Sequence, residues 1–85
     1  MHDEELIGQV REIMADTFGI DERDLPQDPN QASFAGWTSV LNMVLLVALE
    51  ERFVIRLSMD EMLSMTSLER IVDVLRAKVA IGLPA

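Results

Sequence analysis

Cysteine is absent from this chain of 85 residues, and histidine, lysine, glycine and proline are scarce. Without cysteine the chain has no disulfide framework, no thiol nucleophile and no thiolate ligand for a metal ion. Its four glycines are isolated from one another, so it has no glycine-rich phosphate loop. The single histidine, His2, and the single lysine, Lys78, stand near opposite ends of the sequence and supply no general base for a serine nucleophile. We therefore expect neither catalytic residues nor a metal site.

Basic residues are also few, seven against fifteen acidic ones, which gives a net charge of -8. Such a surface repels nucleic acid and anionic membranes and suits partners that present Lys and Arg, although acidity can equally serve solubility alone. The longest apolar run, residues 40–49, contains Asn42 and is about half the length of a membrane span. Asp3, Glu4 and Glu5 stand where a targeting peptide would be basic. We expect no nucleic-acid binding, no membrane insertion and a cytoplasmic location.

Hydrophobic residues, in contrast, make up 49% of the chain, beside 26% charged residues. This is the composition of a folded protein, and the length suits one small domain over residues 1–85. Leu6, Val10 and Met14 recur at helical spacing and predict a first helix over residues 3–18, which Gly19 ends.

A long connection follows, in which prolines and polar residues interrupt any regular period over residues 20–38. A connection of this length in a small domain needs anchors of its own. Leu25, Phe34 and Trp37 are the apolar residues that we expect to reach from the loop into the core. A short helical turn is expected over residues 21–25.

The second helix, predicted over residues 39–53, is apolar on nearly all sides. A helix of this kind is either buried on two faces or presents one face to another molecule. A chain of 85 residues cannot readily surround a helix, so the second option is favoured. At about 100° per residue, one side gathers Asn42, Leu45, Leu46, Leu49 and Phe53, and the other gathers Val40, Leu41, Val44, Val47 and Ala48.

Two capping patterns mark the remainder of the chain. Residues 58–61 predict a short third helix that ends near residue 63 or 64, and residues 66–69 predict a box that opens the last helix from Thr66. Gly82 and Pro84 end that helix. The predicted fold class is therefore all-α, a small four-helix bundle with three longer helices, a short third helix and a long loop between helices one and two.

Ser39 occupies the predicted start of the second helix. Its side-chain oxygen can cap the helix by accepting a hydrogen bond from a first-turn amide. A second interpretation is that Ser39 carries a phosphate ester, because the positive end of the helix dipole stabilises a phosphate. A lone serine at such a position is far more often a cap alone, and the local sequence leaves both interpretations open.

The stretch Gly36-Trp37-Thr38-Ser39-Val40, with Phe34 before it and Leu49-Glu50-Glu51 and Phe53 after it, resembles the acyl carrier proteins and the related peptidyl and polyketide carrier domains. The similarity extends from the first helix to Leu75. It implies that Ser39 receives 4'-phosphopantetheine from coenzyme A through a separate phosphopantetheinyl transferase. It also implies that the chain is no enzyme and carries acyl groups as thioesters for enzymes of fatty-acid, lipid or polyketide-type biosynthesis.

The chain departs from the pattern of that family around the serine. The usual aspartate before it is Thr38, the usual leucine after it is Val40, and two positions that are commonly acidic are apolar. We expect a specialised carrier whose acyl-loading and acyl-transferring enzymes dock with basic or apolar patches. The expected docking residues are Thr38, Val40, Leu41, Val44, Val47, Ala48 and Glu51.

The apolar side of the second helix also permits two other interpretations. It can pack on the chain's own loop or on a second copy, although we expect a monomer. A rival function from another class is a helical adaptor that has lost the modification and binds a partner or dimerises through this side. The adaptor predicts an unmodified chain that self-associates or forms a stable complex.

Methionines around the third helix suggest an acyl pocket, since flexible thioethers can part to admit an acyl chain between helices two and three. Methionines also commonly fill irregular gaps in a core. Trp37 is expected to anchor the loop rather than to contact the pantetheine arm, and Asn42 to bond to loop backbone. The pocket candidates are Leu45, Leu49, Met59, Met62 and Met65.

Overall fold

The computed structural model describes residues 3–81, and of residues 3 and 79–81 the backbone alone. The helices are α1 (Asp3–Phe18), a 3₁₀ turn (Glu22–Asp24), α2 (Ser39–Phe53), α3 (Met59–Ser64) and α4 (Leu68–Ile81). Over these residues the backbone forms no β-strand beyond an isolated bridge between Asn30 and Ser67. The prediction of an all-α bundle with a short third helix is confirmed.

Helix α1 lies at the centre of the packing, because it contacts both α2 and α4, while α3 packs on α4. Its buried residues recur at three- and four-residue spacing, as the sequence predicts. Gly19 ends the helix with a φ of 71°, and the Ile20 amide donates to the carbonyl of Ala15 at 3.1 Å. The core of the three long helices consists mainly of Leu6, Val10, Met14, Leu45, Leu46, Leu49, Ile71, Val72 and Leu75.

The middle of the long loop between α1 and α2 is held to two helices. The guanidinium of Arg11 on α1 donates to the backbone carbonyls of residues 25–27 at 2.7–3.1 Å. The predicted anchor Leu25 is buried there. Further along, Pro29 is fully buried and its carbonyl accepts from the Leu68 amide at 2.9 Å. These contacts fix the loop to α1 and to the beginning of α4.

Helix α3 depends on its cap, since none of its side chains is fully buried. The predicted capping box is present: the Glu61 amide donates to Ser58 Oγ at 3.1 Å, and the Ser58 amide donates to Glu61 Oε1 at 2.7 Å. Lys78 Nζ on α4 lies 2.9 Å from the same oxygen. The Ser58 amide first, and then Lys78, lower the pKa of Glu61 below its usual 4.5. The stabilisation from this carboxylate is therefore present at neutral pH and is lost as the pH falls through that lowered pKa.

The predicted cap of α4 is wrong by one residue. The helix begins at Leu68, and Ser67 Oγ accepts from the Arg70 amide at 3.1 Å. Thr66 stays outside the helix because its carbonyl accepts from the Gln31 amide at 3.0 Å. Gly82 and Pro84, which the sequence analysis assigns to the end of this helix, lie outside the described residues.

Val54 ends α2 in a left-handed conformation, with φ 54° and ψ 54°. Its amide donates to the Glu50 carbonyl, as does the amide of Ile55 at 3.1 Å. A β-branched residue is strained at positive φ, and the side chain of Val54 is 89% exposed, so packing offsets little of that strain. The link that follows returns Leu57 to the core.

We expect Val54→Gly to increase the free energy of unfolding by about 0.5–1 kcal/mol, since glycine adopts positive φ without the Cβ clash but loses more entropy on folding. Val54→Ala is the matched control, because it shortens the side chain and keeps the Cβ. Urea unfolding of the three proteins measures the difference. A glycine variant no more stable than the alanine variant would contradict a strained Val54.

Candidate functional site

Thr38, not Ser39, is the N-cap of α2. Thr38 has extended backbone angles, φ -83° and ψ 168°, and its Oγ1 accepts from the Leu41 amide at 3.2 Å. Its carbonyl accepts from the Asn42 amide at 2.8 Å. The interpretation of Ser39 as the cap is wrong, because Ser39 is already the first helical residue.

Ser39 is exposed, and its hydroxyl has no hydrogen-bond partner among residues 3–81. The Leu41 amide donates to Thr38 Oγ1, whereas the amides of Ser39 and Val40 have no acceptor in the described chain. The Ser39 side-chain oxygen therefore takes no part in capping the helix. It lies at the positive end of α2, beside the two backbone amides that have no acceptor.

Trp37 fixes the position of the backbone just before Thr38 and Ser39. It is buried, with 4% of its surface exposed, and its indole N–H donates to Asn42 Oδ1 at 2.8 Å. Its backbone amide donates to the carbonyl of Phe34 at 3.0 Å. The prediction of Trp37 as a loop anchor is confirmed. The prediction that Asn42 bonds to loop backbone is wrong in its partner, because the amide oxygen of Asn42 faces the indole instead.

Three aromatic rings tie this end of the loop to α1. The centroid of Phe18 lies 5.3 Å from that of Phe34 and 5.7 Å from that of Trp37, both at tilted angles. Gly36 lets Phe34 fold over the backbone, since a Cβ at Gly36 would lie 3.0 Å from the Phe34 ring. The end of α1 therefore sets the position from which α2, with Ser39, begins.

We define the outer face of α2 as its side turned away from α1. Val40, Val44 and Val47 are exposed there, Val40 by 73%, and Leu41 and Ala48 are half-buried. Met43, 58% exposed, belongs to the same face and was missed in the sequence analysis, although its four-residue spacing to Val47 is a signal for it. A shallow groove of about 360 Å³ runs along this face, lined by Met43, Val44, Val47, Ala48 and Glu51.

The acyl-pocket candidates are only partly brought together. Leu45, Leu49 and Met65 are fully buried in the core, and Met62 packs against it from α3. Met59 is 70% exposed and lies apart from these residues, because it occupies the solvent side of α3. A pocket for an acyl chain remains a prediction, centred on the four residues that reach the core.

A larger groove, of about 540 Å³, lies between α1 and α4. Its apolar floor includes Ile7, Leu68 and Val72, and none of the predicted site residues lines it. Over the described residues no cluster of His, Cys, Asp or Glu could hold a metal ion. None of the helices in that part of the chain is long and apolar enough to cross a membrane.

Residues 8–75 match the protein family described as "Phosphopantetheine attachment site". The chain belongs to this family. An acyl carrier protein from Guillardia theta is 30% identical to it over 80 residues, which are 94% of this chain and 99% of the relative. Family membership makes the chain a carrier rather than an enzyme, with covalently attached 4'-phosphopantetheine as its cofactor. The resemblance to acyl carrier proteins is confirmed.

The assignment of the cap predicts opposite results at two neighbouring hydroxyls. Thr38→Val removes the acceptor for the Leu41 amide and should lower the free energy of unfolding by about 1 kcal/mol. Ser39→Ala should leave it unchanged within about 0.5 kcal/mol, because the Ser39 hydroxyl makes no hydrogen bond within residues 3–81 and alanine favours the helix. Urea denaturation of both variants measures this. An equal loss in Ser39→Ala would return the cap to Ser39.

Proposed function

We propose that this chain is an acyl carrier protein that bears its 4'-phosphopantetheine on Ser39. One observation carries the assignment: in a chain of this family, Ser39 presents an exposed hydroxyl with no internal partner at the first residue of α2. The neighbouring amides of Ser39 and Val40 fit a phosphodiester there, because they point their unused donors along the positive end of the helix.

The residues around Ser39 bind partners and present the serine to them, and they take no part in the transfer reaction. With no hydrogen-bond partner among residues 3–81, the hydroxyl has no base to take its proton, so that base must belong to a separate transferase. When attached, the cofactor supplies a thiol that holds acyl groups as thioesters. The cap on Thr38 and the buried Trp37 keep the start of α2 in place, so the attachment point stays fixed as acyl groups change.

Partner enzymes dock, in this proposal, on the outer face of α2. Its apolar residues extend along the helix from Val40, next to Ser39, and Glu51 supplies a carboxylate at the far end of the groove. A matching enzyme surface is apolar with a Lys or Arg opposite Glu51. A second copy of the chain is a poorer match, because each copy carries a net charge of -8 and the contact would cover Ser39.

The carrier serves fatty-acid, lipid or polyketide-type biosynthesis in the cytoplasm, with a phosphopantetheinyl transferase and acyl-handling enzymes as partners. The acyl carrier protein that matches nearly the whole length of this chain supports the acyl cargo. Leu45, Leu49, Met62 and Met65 are the residues against which a sequestered acyl chain would pack. The rival adaptor would use the same outer face without modification.

Incubation with coenzyme A, Mg²⁺ and a broad-specificity phosphopantetheinyl transferase should add one phosphopantetheine to the parent chain. Ser39→Ala should gain nothing, because the hydroxyl is the acceptor. Intact-mass spectrometry reads both results. Addition to the alanine variant would move the attachment site elsewhere. No addition to the parent, even with transferases from the source organism, would favour the adaptor.

Val44→Glu should raise the KM of that transferase for the carrier about 5–10-fold, since it puts a charge into the apolar docking face. The free energy of unfolding should change by about 0.5 kcal/mol or less, because Val44 is half exposed on a surface. Gln27→Glu is the matched control: it adds the same charge at an exposed loop position away from α2.

Two results would contradict this docking surface. A Val44→Glu variant that unfolds far more easily would mean that the face packs within the chain. A KM equal to that of Gln27→Glu would mean that the transferase does not contact it. Light scattering on the parent chain tests the rival directly, because a dimer held through this face should separate into monomers in Val44→Glu.

A further inference from the structure

The hydrogen bond between Trp37 and Asn42 encloses the proposed attachment site. Trp37 precedes Ser39 by two residues and Asn42 follows it by three, and the indole N–H meets Asn42 Oδ1 at 2.8 Å. The bond therefore closes a loop of backbone that contains Thr38, Ser39 and the first turn of α2. The Ser39 side chain itself makes no hydrogen bond to any residue that the structure describes.

We infer that Trp37 and Asn42 are positioning residues for the modification of Ser39. Their hydrogen bond holds residues 38–41 in one geometry, so that the Ser39 oxygen meets the transferase at a fixed place. The inference rests on the proposed function, because it concerns the same serine. It adds two residues that act through the backbone of residues 38–41.

The other side-chain restraint on this segment is weak. Thr38 Oγ1 accepts from the Leu41 amide at 3.2 Å, and Thr38 is exposed, so water competes for that bond. The indole of Trp37 is buried, and a hydrogen bond shielded from water resists opening more strongly. Contact with the Phe18 ring transmits the position of α1 to Trp37. Of the two side-chain hydrogen bonds, the part-buried one between Trp37 and Asn42 is thus the firmer restraint on the segment that carries Ser39, and the exposed cap adds to it.

The residue types of the Trp37–Asn42 pair favour a role in orienting the backbone rather than in packing alone. From residue 40 to residue 49 of α2, Asn42 is the one polar side chain in an apolar run. An apolar pair of similar shape would fill the same space with nearly equal stability, because removing both partners leaves no unsatisfied group. A pair of apolar residues cannot, however, fix an orientation as a linear hydrogen bond does. The polar pair therefore adds a fixed orientation of the segment that carries Ser39.

Three variants separate positioning from stability. Asn42→Leu breaks the bond and strands the indole N–H, so it should lower both stability and the rate of modification. Trp37→Phe combined with Asn42→Leu removes donor and acceptor together, so it should recover much of the stability while modification stays slow. Asn42→Asp keeps an acceptor oxygen at the same place and should restore the rate.

The measurement is the kcat and KM of a broad-specificity phosphopantetheinyl transferase with coenzyme A and Mg²⁺, at a temperature where unfolding curves show every variant folded. We expect kcat to fall about tenfold for Asn42→Leu and for the double variant, with KM within about twofold, because small misplacement of a reacting atom costs rate rather than docking. Trp37 is the one tryptophan in the chain, so its single indole N–H resonance reports whether the bond is present.

Several outcomes overturn the inference. A double variant that is modified as fast as the parent would show that rate follows stability and that the pair is structural. An Asn42→Leu variant with unchanged kcat, or with a change in KM alone, would also remove the positioning role. If the parent chain accepts no phosphopantetheine, the proposed function fails and the inference falls with it. Modification of the parent with normal kcat in all variants defeats the inference alone.

Discussion

An apolar helix in a chain too small to surround it is the constraint on which this structure depends. Leu45, Leu46 and Leu49 of α2 turn inward to α1 and the core, which uses the inner side completely. Within residues 3–81 no segment covers the other side, so Val40, Met43, Val44 and Val47 of the outer face are exposed. The helix that completes the core therefore also carries an exposed apolar side, and this is the side on which we propose that partner enzymes dock.

The long loop is ordered because two parts of it bind to the helices. Arg11 binds three successive carbonyls in its middle, and Trp37 enters the core at its end, where Phe18 and Asn42 meet it. Each contact joins residues that local chain stiffness would not bring together, so each offsets part of the entropy of ordering the loop. The result of these contacts is that α2 begins at one defined place relative to α1.

The fold was largely predictable from the sequence, because helix periods and turn residues are local signals. Both errors at helix starts fall on Thr-Ser pairs, residues 38–39 and 66–67, in which either hydroxyl can serve as a cap. Tertiary contacts decide each case. Burial of Trp37 sets the start of α2, and the hydrogen bond from the Gln31 amide to the Thr66 carbonyl sets the start of α4. The roles of Arg11 and Asn42 depend on partners that no local pattern indicates, so sequence reasoning could propose Ser39 as the attachment site but could not predict the contacts that fix the chain around it.

Thr38, the residue before the serine, caps α2, so the cap and the proposed attachment site are on two different residues. A serine that caps its helix uses its oxygen as an acceptor for a backbone amide, and esterification of that oxygen would disturb the cap. Here Thr38 Oγ1 accepts from Leu41, so Ser39 can be modified without loss at the helix start. Threonine caps a helix nearly as well as the aspartate usual in carrier proteins, yet it places no negative charge beside a phosphodiester. The same loss of acidity appears at Leu41 and Val44 on the outer face, and both changes suit a partner that recognises this carrier by apolar contact more than by charge.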